Sequence, residues 1–275
     1  MNKKDVSIII TLYKTPVKRL KSLNQYRKYP IMIFDQEPED NSKEKISKIL
    51  NLKFDYYYSK KNIGNSKSTN FLLKKVKTKY CLFTQADITI DKTSLNNLIL
   101  MIKKNKDVIF AGPVFKKKTK IRKKNNSQNY EINNHLNASC MLCDVKKVKK
   151  IGFFDEDFFL YWNDEDLMKR VNKTNFKMIK VLNSFANHES SQSSINITSI
   201  NVIRSMHFKC GELIFDYKYN KLRFIKIFRQ LITNFIFLFI NSLLFSKQRL
   251  VLNYANLLGI TIFLKFYLGK KLKLL

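Results

Sequence analysis

Carboxylates are few in this sequence beside its cations. Its 275 residues contain 21 Asp and Glu against 52 Lys and Arg, a formal net charge of +31. Such an excess favours a polyanionic neighbour, whether nucleic acid, anionic lipid or a phosphate-bearing substrate, and does not choose among them. Cysteine is scarce too. Cys81, Cys140, Cys143 and Cys210 lack the two paired spacings of a metal site, so buried thiols in a reducing compartment are expected. The six glycines form neither a dinucleotide fingerprint nor a Gly-Lys-Ser/Thr phosphate loop, which argues against a Rossmann dehydrogenase and a P-loop nucleotidase. The opening MNKKDVSIII runs straight into a strand-like segment without a signal h-region and cleavage site. No export signal is therefore expected, and the chain should stay in the cytoplasm or on its membrane face.

What is present is a substantial apolar fraction, 45% of residues, enough for one large core with an appended segment. Val6–Leu12 is a continuous β-branched run, as for a strand buried on both faces of a parallel sheet. Pro16 then stands early in a helical stretch, Val17–Tyr26, where its missing amide hydrogen is not needed. Ile31–Phe34 reads as a second strand ending in Asp35, followed by the loop 36–42 and a helix over Lys43–Leu50. Phe54–Tyr58 is a third strand, Asn62-Ile63-Gly64-Asn65 a turn into a helix over Ser66–Val76, and Tyr80–Thr84 a fourth strand. This alternation predicts an α/β fold with a doubly wound, mostly parallel sheet whose ligands bind beyond the carboxyl ends of the strands, where Tyr13, Asp35, Asn62 and Asp87 stand.

The scarce acids are not scattered. Asp155, Glu156, Asp157, Asp164, Glu165 and Asp166 cluster among Phe158, Phe159, Tyr161 and Trp162. If Asn163 caps a helix opening at Asp164-Glu165-Asp166-Leu167, the carboxylates lie at its positive end, where they either cap it or point one base into a cleft.

Several motifs, in order over about residues 5–210, resemble the family-two glycosyltransferases of GT-A fold, particularly rhamnosyltransferase-like bacterial members. They are the opening strand through Leu12 and Tyr13; Ile33-Phe34-Asp35 with Asp40-Asn41-Ser42; Asn62-Ile63-Gly64-Asn65 with Asn70; Leu82–Asp87; Asn137–Leu142; and Gly152–Phe159 with Tyr161–Leu167. The resemblance implies that Leu12, Tyr13, Asp35, Asn62, Gly64, Asn65 and Asp87 bind a nucleotide-sugar donor, with Asp35 on the nucleobase. It implies Asp87 and His188 as ligands of Mg2+ or Mn2+ at the donor diphosphate. It assigns the catalytic base of an inverting transfer to Asp164, and the acceptor side to Tyr161, Trp162 and Asp166. Two positions depart from the family pattern. Gln85 stands where the metal motif often has a first acid, and Asn163 replaces the acid that usually precedes the base.

Residues 1–215 are thus expected to form the catalytic domain and residues 216–275 an amphipathic helical extension. Lys221–Phe245 places Arg223, Lys226, Gln230, Thr233, Asn234 and Asn241 on one helical face and Phe, Ile and Leu on the other. Its most apolar part, Leu231–Phe245, is shorter than the ~20 residues that span a bilayer. A second such segment, Leu250–Leu268, precedes Lys270-Lys271-Leu272-Lys273. Basic, aromatic, moderately apolar helices suit the cytoplasmic face of an inner membrane as peripheral anchors. Their alternative use is packing on the catalytic domain or in a homo-oligomer. The basic run Lys116–Lys124 is expected to be a solvated loop, and without interleaved aromatics it does not favour nucleic acid. The expected function is transfer of a sugar, with dTDP-rhamnose the first donor to try, to a lipid-linked or cell-surface glycan such as O-antigen, lipooligosaccharide or capsule. The alternatives are a noncatalytic basic module binding nucleic acid or acidic glycan, and a nucleotidyltransferase, which would need a Gly-rich basic loop after the first strand.

Overall fold

In the computed structural model, residues 5–115, 129–188 and 198–272 are described; the basic run Lys116–Lys124 lies outside them. In chain order the elements are β1 (Val6–Tyr13), a 3₁₀ helix (Val17–Tyr26), β2 (Ile31–Gln36), α1 (Ser42–Ile49), β3 (Asp55–Ser59), α2 (Asn65–Lys75), β4 (Tyr80–Phe83), β5 (Ile88–Ile90), α3 (Lys92–Lys104), β6 (Val108–Phe115), β7 (Tyr130–Ile132), β8 (Met141–Asp144), α4 (Val145–Lys150), α5 (Asn163–Val171), β9 (Lys177–His188), α6 (Thr198–Lys218), α7 (Phe224–Leu243) and α8 (Lys247–Leu272). They fall into two units, residues 1–155 with 164–195, and residues 156–163 with 196–275.

The first unit is built on one sheet in the order β3-β2-β1-β4-β8-β6-β9-β5, with β7 beside β9. β1 to β4 are mutually parallel. β8 then runs antiparallel between β4 and β6, so the parallel reading holds for the first half of the chain and the second half is mixed. The continuous apolar runs follow from burial on both faces. In β1 and β2, Ile8, Ile10, Ile31 and Ile33 face one core with the 3₁₀ helix, α1 and α3, while Ile9, Met32 and Phe34 face the other with α2, α4 and α5. Successive register pairs, Ile8 with Ile31 and then Ile9 with Met32, therefore serve the two layers in turn, as expected of strands fed by crossover helices. Cys81, Cys140 and Cys143 are buried within these layers and Cys210 in the helical unit, and all four are free. Burial pushes the Cys140 and Cys210 thiols up to about 12, which leaves them unreactive at neutral pH.

The second unit is helical. It begins at α6, ahead of the expected boundary at residue 216, because Cys210, Leu213 and Ile214 of α6 share one core with Ile227 of α7 and with Ile260 and Phe263 of α8. Phe158, from the short segment 156–163, completes that core. Asp157 in the same segment is fixed by Lys218 of α6 at 2.7 Å and Lys270 of α8 at 3.4 Å. Burial raises its carboxyl, and the two ammonium groups outweigh that and lower it.

Two expectations about α7 change. The helix runs over Phe224–Leu243, inside the expected Lys221–Phe245, and includes Lys226, whose ammonium is held by Glu212 and Asp216 at 2.9 Å each. With 20 residues it is, like α8, long and apolar enough to cross a membrane. Its amide face also turns inward: Asn234 and Asn241 are buried, and Phe228, Phe235 and Phe239 are exposed.

α8 approaches α6 most closely at Gly259, where a Cβ would stand 2.5 Å from the Met206 carbonyl oxygen and 2.9 Å from Lys209 Cβ. Backbone cannot yield as a flexible side chain does. Gly259→Leu should cost about 1–3 kcal/mol of stability, read as a lower urea midpoint by circular dichroism. An unchanged midpoint would show that α8 is not seated on α6.

Candidate functional site

The ends of β1, β2 and β3 are tied together by side chains that bond to main chain. Glu37, just past β2, donates its amide to Ser59 O (2.8 Å) and accepts from Asn62 N on Oε1 (3.0 Å). Gln36 Oε1 accepts from Ile63 N at 3.0 Å. Asn62 Oδ1 accepts from Gly64 N at 3.0 Å, an Asx turn that delivers the chain to Gly64 at φ +86°, a conformation that favours glycine, immediately before α2. Asn65 is then bonded through Oδ1 to Thr11 Oγ1 at 3.1 Å. Tyr13, Asn62, Gly64 and Asn65 therefore gather at one sheet edge. Leu12 belongs to the core at 3% exposure, which leaves only its main chain for a ligand.

Asp35 joins this edge as a buried acid. Its Oδ2 accepts from Ser42 Oγ (2.8 Å) and from the Tyr56 hydroxyl (2.9 Å). Burial raises its carboxyl above the ordinary range, while those two hydroxyls and the charge of Lys14 offset part of the rise. Ser42 stood in the Asp40-Asn41-Ser42 motif without a role of its own, and Tyr56 and Glu37 were not singled out in the sequence. The first two lie in an ordinary loop-to-helix junction and an aromatic strand, and only their placement beside Asp35 gives them a role.

A second group forms where β5 pairs antiparallel with β9 and sets Ile88 opposite His188. The register brings Asp87 Oδ2 to 3.5 Å from His188 Nε2, with the Asp87 side chain 1% exposed and that of His188 22%. Two donors roughly 2.1 Å from one octahedral cation stand about 3 Å apart, so this pair fits a shared divalent ion. Among the described residues no group of three or more His, Cys, Asp and Glu gathers, so the remaining positions would fall to phosphate oxygens and water. The departure at Gln85 thus leaves a carboxylate-imidazole pair in the place of two acids.

The acid cluster is sorted by its partners. Asp157 is held by Lys218, Glu165 lies 3.4 Å from His135 Nδ1, and Asp166 accepts from Arg170 Nε at 2.8 Å. Asp155 and Glu156 are engaged as well. Among the described residues Asp164, half-buried in the first turn of α5, is the one acid of the six with no hydrogen-bond or ion-pair partner.

Asp166 and Trp162 depart from the acceptor role expected of them. Asp166 is 2% exposed, and its charge orients Arg170, whose guanidinium also donates to the carbonyls of Ile151 and Phe153. Trp162 donates its indole N–H to Phe208 O (3.1 Å) and packs on Phe208 and Phe215 of α6, against Gly211. Both are consumed by packing. Tyr161 keeps 37% exposure with its ring edge-on to Phe208. Tyr161 and Trp162 both take left-handed backbone, φ +64° and +61°, a conformation non-glycine residues hold only when their surroundings impose it. A separate cleft of about 580 Å³, lined by Arg27, Lys28, Asp91 and Lys92 among others, contains none of the expected site residues.

Asn70 was grouped with the Asn-x-Gly turn, and its work proves to be elsewhere. Its side-chain amide donates to Phe154 O (2.8 Å) and accepts from Phe154 N (3.0 Å), as a strand partner would. Asn70→Ala should strand both buried groups and cost about 2–4 kcal/mol, measured by urea unfolding; a cost below half of that would show that water replaces the amide. For Asp35 the sign follows from its raised carboxyl. The folded chain holds that proton more tightly than the unfolded chain, so the stability it contributes is complete below the unfolded pKa and is lost as pH rises through the folded one. Asp35→Asn should therefore be as stable as the parent at acid pH and more stable above about pH 4, and a difference that does not vary with pH would contradict this.

No curated protein matches the chain. Solved structures do. A mannosyltransferase, PcManGT from Pyrobaculum calidifontis in complex with GDP-Man and Mn2+, is similar with a TM-score of 0.57 and 13% identity over 77% of this chain and 64% of that one. GalNAc-T7 with UDP, GalNAc and Mn2+ gives 0.55 and 10% over 77% and 48%, and S. aureus TarS gives 0.52 and 14% over 77% and 42%. The chain spans less than two thirds of the length of each, and at such identities the likeness is one of fold, the GT-A arrangement. Residues 7–183, more than half of the sequence and all of the sheet edge described above, match the family described as Glycosyl transferase family 2, and it is to this family that the chain belongs.

Proposed function

We propose that the chain is an inverting glycosyltransferase that moves one sugar from a nucleotide-sugar donor to a hydroxyl of a lipid-linked or cell-surface glycan at the cytoplasmic face of the inner membrane. The observation that carries this reading is Asp164, the acid of its cluster left without a partner among the described residues, at the start of a helix in a family-two chain. In this scheme Asp164 removes the proton of the acceptor hydroxyl as that oxygen attacks the anomeric carbon. The bond from that carbon to the diphosphate breaks on the opposite face, configuration inverts, and the proton stays on the carboxylate. Asp35, with Ser42 and Tyr56 behind it, takes the nucleobase, and the Asn62–Asn65 turn and Tyr13 flank the rest of the nucleotide.

Asp87 and His188 would hold a divalent ion, Mg2+ or Mn2+, which when bound neutralises charge on the leaving diphosphate. Two of the similar structures were solved with a nucleotide or nucleotide sugar together with Mn2+, which supports the assignment. The net charge of +31 and the apolar outer face of α7 support placement at an anionic membrane, where a lipid-linked acceptor is found. A deoxysugar donor such as dTDP-rhamnose and an O-antigen, lipooligosaccharide or capsule product follow from the resemblance of the motifs.

A panel of nucleotide sugars, scored for hydrolysis and for protection against thermal unfolding, tests the donor class. Asp164→Asn should bind the donor found there with unchanged affinity and lose about 10²-fold or more in transfer; near-normal turnover would remove Asp164 from the role of base. Asp87→Ala should lose donor affinity and divalent-ion dependence together, and full activity of the parent protein in chelator would overturn the metal assignment.

A further inference from the structure

The helical unit has the wrong side out for water. A helix on a soluble surface turns apolar residues inward and polar ones outward. α7 does the reverse: Asn234 and Asn241 are buried at 9% and 3% exposure, while Phe228, Phe235 and Phe239 are exposed at 61%, 68% and 66%. Ile225, Ile236, Phe237, Ile240 and Leu243 extend this exposed surface, so the apolar face covers about half the circumference of the helix. A helix lying among headgroups would keep its amide face in water, and here that face is already occupied. Of the most apolar stretches of α7 and α8, 17% and 22% are buried, which excludes the core helix of a soluble domain.

We infer that α7 and α8 form a hairpin sunk into the hydrocarbon layer of a bilayer, its phenylalanine-rich outer face against the acyl chains. In hydrocarbon, polar groups must find partners inside the protein. Asn256 Nδ2 donates to Asn234 Oδ1 at 3.1 Å, joining the two helices, and the amides of Asn234 and Asn241 donate to the carbonyls of Gln230 and Phe237 at 2.7 Å each. Gln230 Oε1 is the exception in this seam, buried without a hydrogen-bond partner among the described residues. The 20 residues of α7 make a rod roughly 30 Å long, the thickness of a bilayer core. Cations stand at both ends, Arg223 before it and Lys247 and Arg249 after it, where anionic headgroups would meet them. Arg229 lies within two turns of the helix start and reaches the interface with its long stem.

This inference rests on the membrane placement proposed above, and the test separates the two. The full chain is mixed with vesicles of phosphatidylcholine and phosphatidylglycerol, with and without bromine on the acyl chains. It should stay bound through high salt and alkaline carbonate. In Phe235→Trp, brominated lipid should abolish the emission added at position 235 and leave that of the single native tryptophan, Trp162. Changing Phe228, Phe235 and Phe239 together to Ser should lower vesicle partition by about a hundredfold or more. If the chain binds vesicles, salt releases it completely and position 235 is not quenched, the helices lie on the surface; embedding is then wrong while the membrane placement stands. If it binds no vesicles and sediments as a dimer that the triple variant dissociates, a second copy covers the phenylalanines and both readings fail.

Discussion

A buried amide-to-backbone pairing, Asn70 against Phe154, is the constraint through which the parts of the sheet unit communicate. Asn70 stands on α2, whose first turn grows out of the Asn62–Gly64 loop at the strand ends. Phe154 follows a turn with two left-handed residues, Gly152 and Phe153, whose amides bond back to the carbonyls of Lys149 and Val148. Arg170 grips the same turn from α5, and Asp166 fixes the guanidinium in place. One chain of contacts therefore runs from the Asn62–Gly64 loop to the helix that carries Asp164. Asn70 and Asp166 are buried and the bond from Arg170 to Asp166 is charge-assisted, so loop and helix are held to each other by bonds that water weakens little.

Much of this was legible beforehand, for identifiable reasons. A strand buried on two faces leaves a run such as Val6–Leu12, and parallel strands connected by helices put their carboxyl ends on one edge, so the gathering of Tyr13, Asp35 and the Asn62–Asn65 turn needed only the alternation of elements. What composition and spacing do not encode is the direction in which a side chain is used. Asp164 and Asp166 are two residues apart in the same first turn, but the helix turns one toward Arg170 and leaves the other without a partner. Trp162 has the composition of a sugar platform, and Gly211 opens a space on α6 that it fills instead. Periodicity located the two faces of α7 correctly and was silent on which one turns inward, because that depends on the partner helix, here through Asn256.

The charge balance acquires a structural meaning once the acids are placed. Asp157, Glu212 and Asp216 hold the helical unit together through Lys218, Lys270, Lys209 and Lys226. Within the sheet unit, Asp166 and Asp144 are likewise engaged, with Arg170 and Lys147. These five acids thus serve as internal fasteners, and Lys and Arg exceed Asp and Glu by 31 charges over the whole chain. A diphosphate approaching such a chain meets a field of one sign, which speeds encounter and is weakened by salt.

β5 is only three residues long, stands at the end of the sheet, and has β9 as its one neighbour there. Ile88 and His188 stand a hundred residues apart in the chain, so this contact closes one of the longest loops in the unit. Contacts of that range form late, after β1 to β4 and their crossover helices can already have assembled from near neighbours. An edge of this kind is also the first to open without unfolding the rest. The Asp87 and His188 pair is thus completed last and released first, and a newly made chain would set the ends of β1, β2 and β3 in place before these two side chains meet.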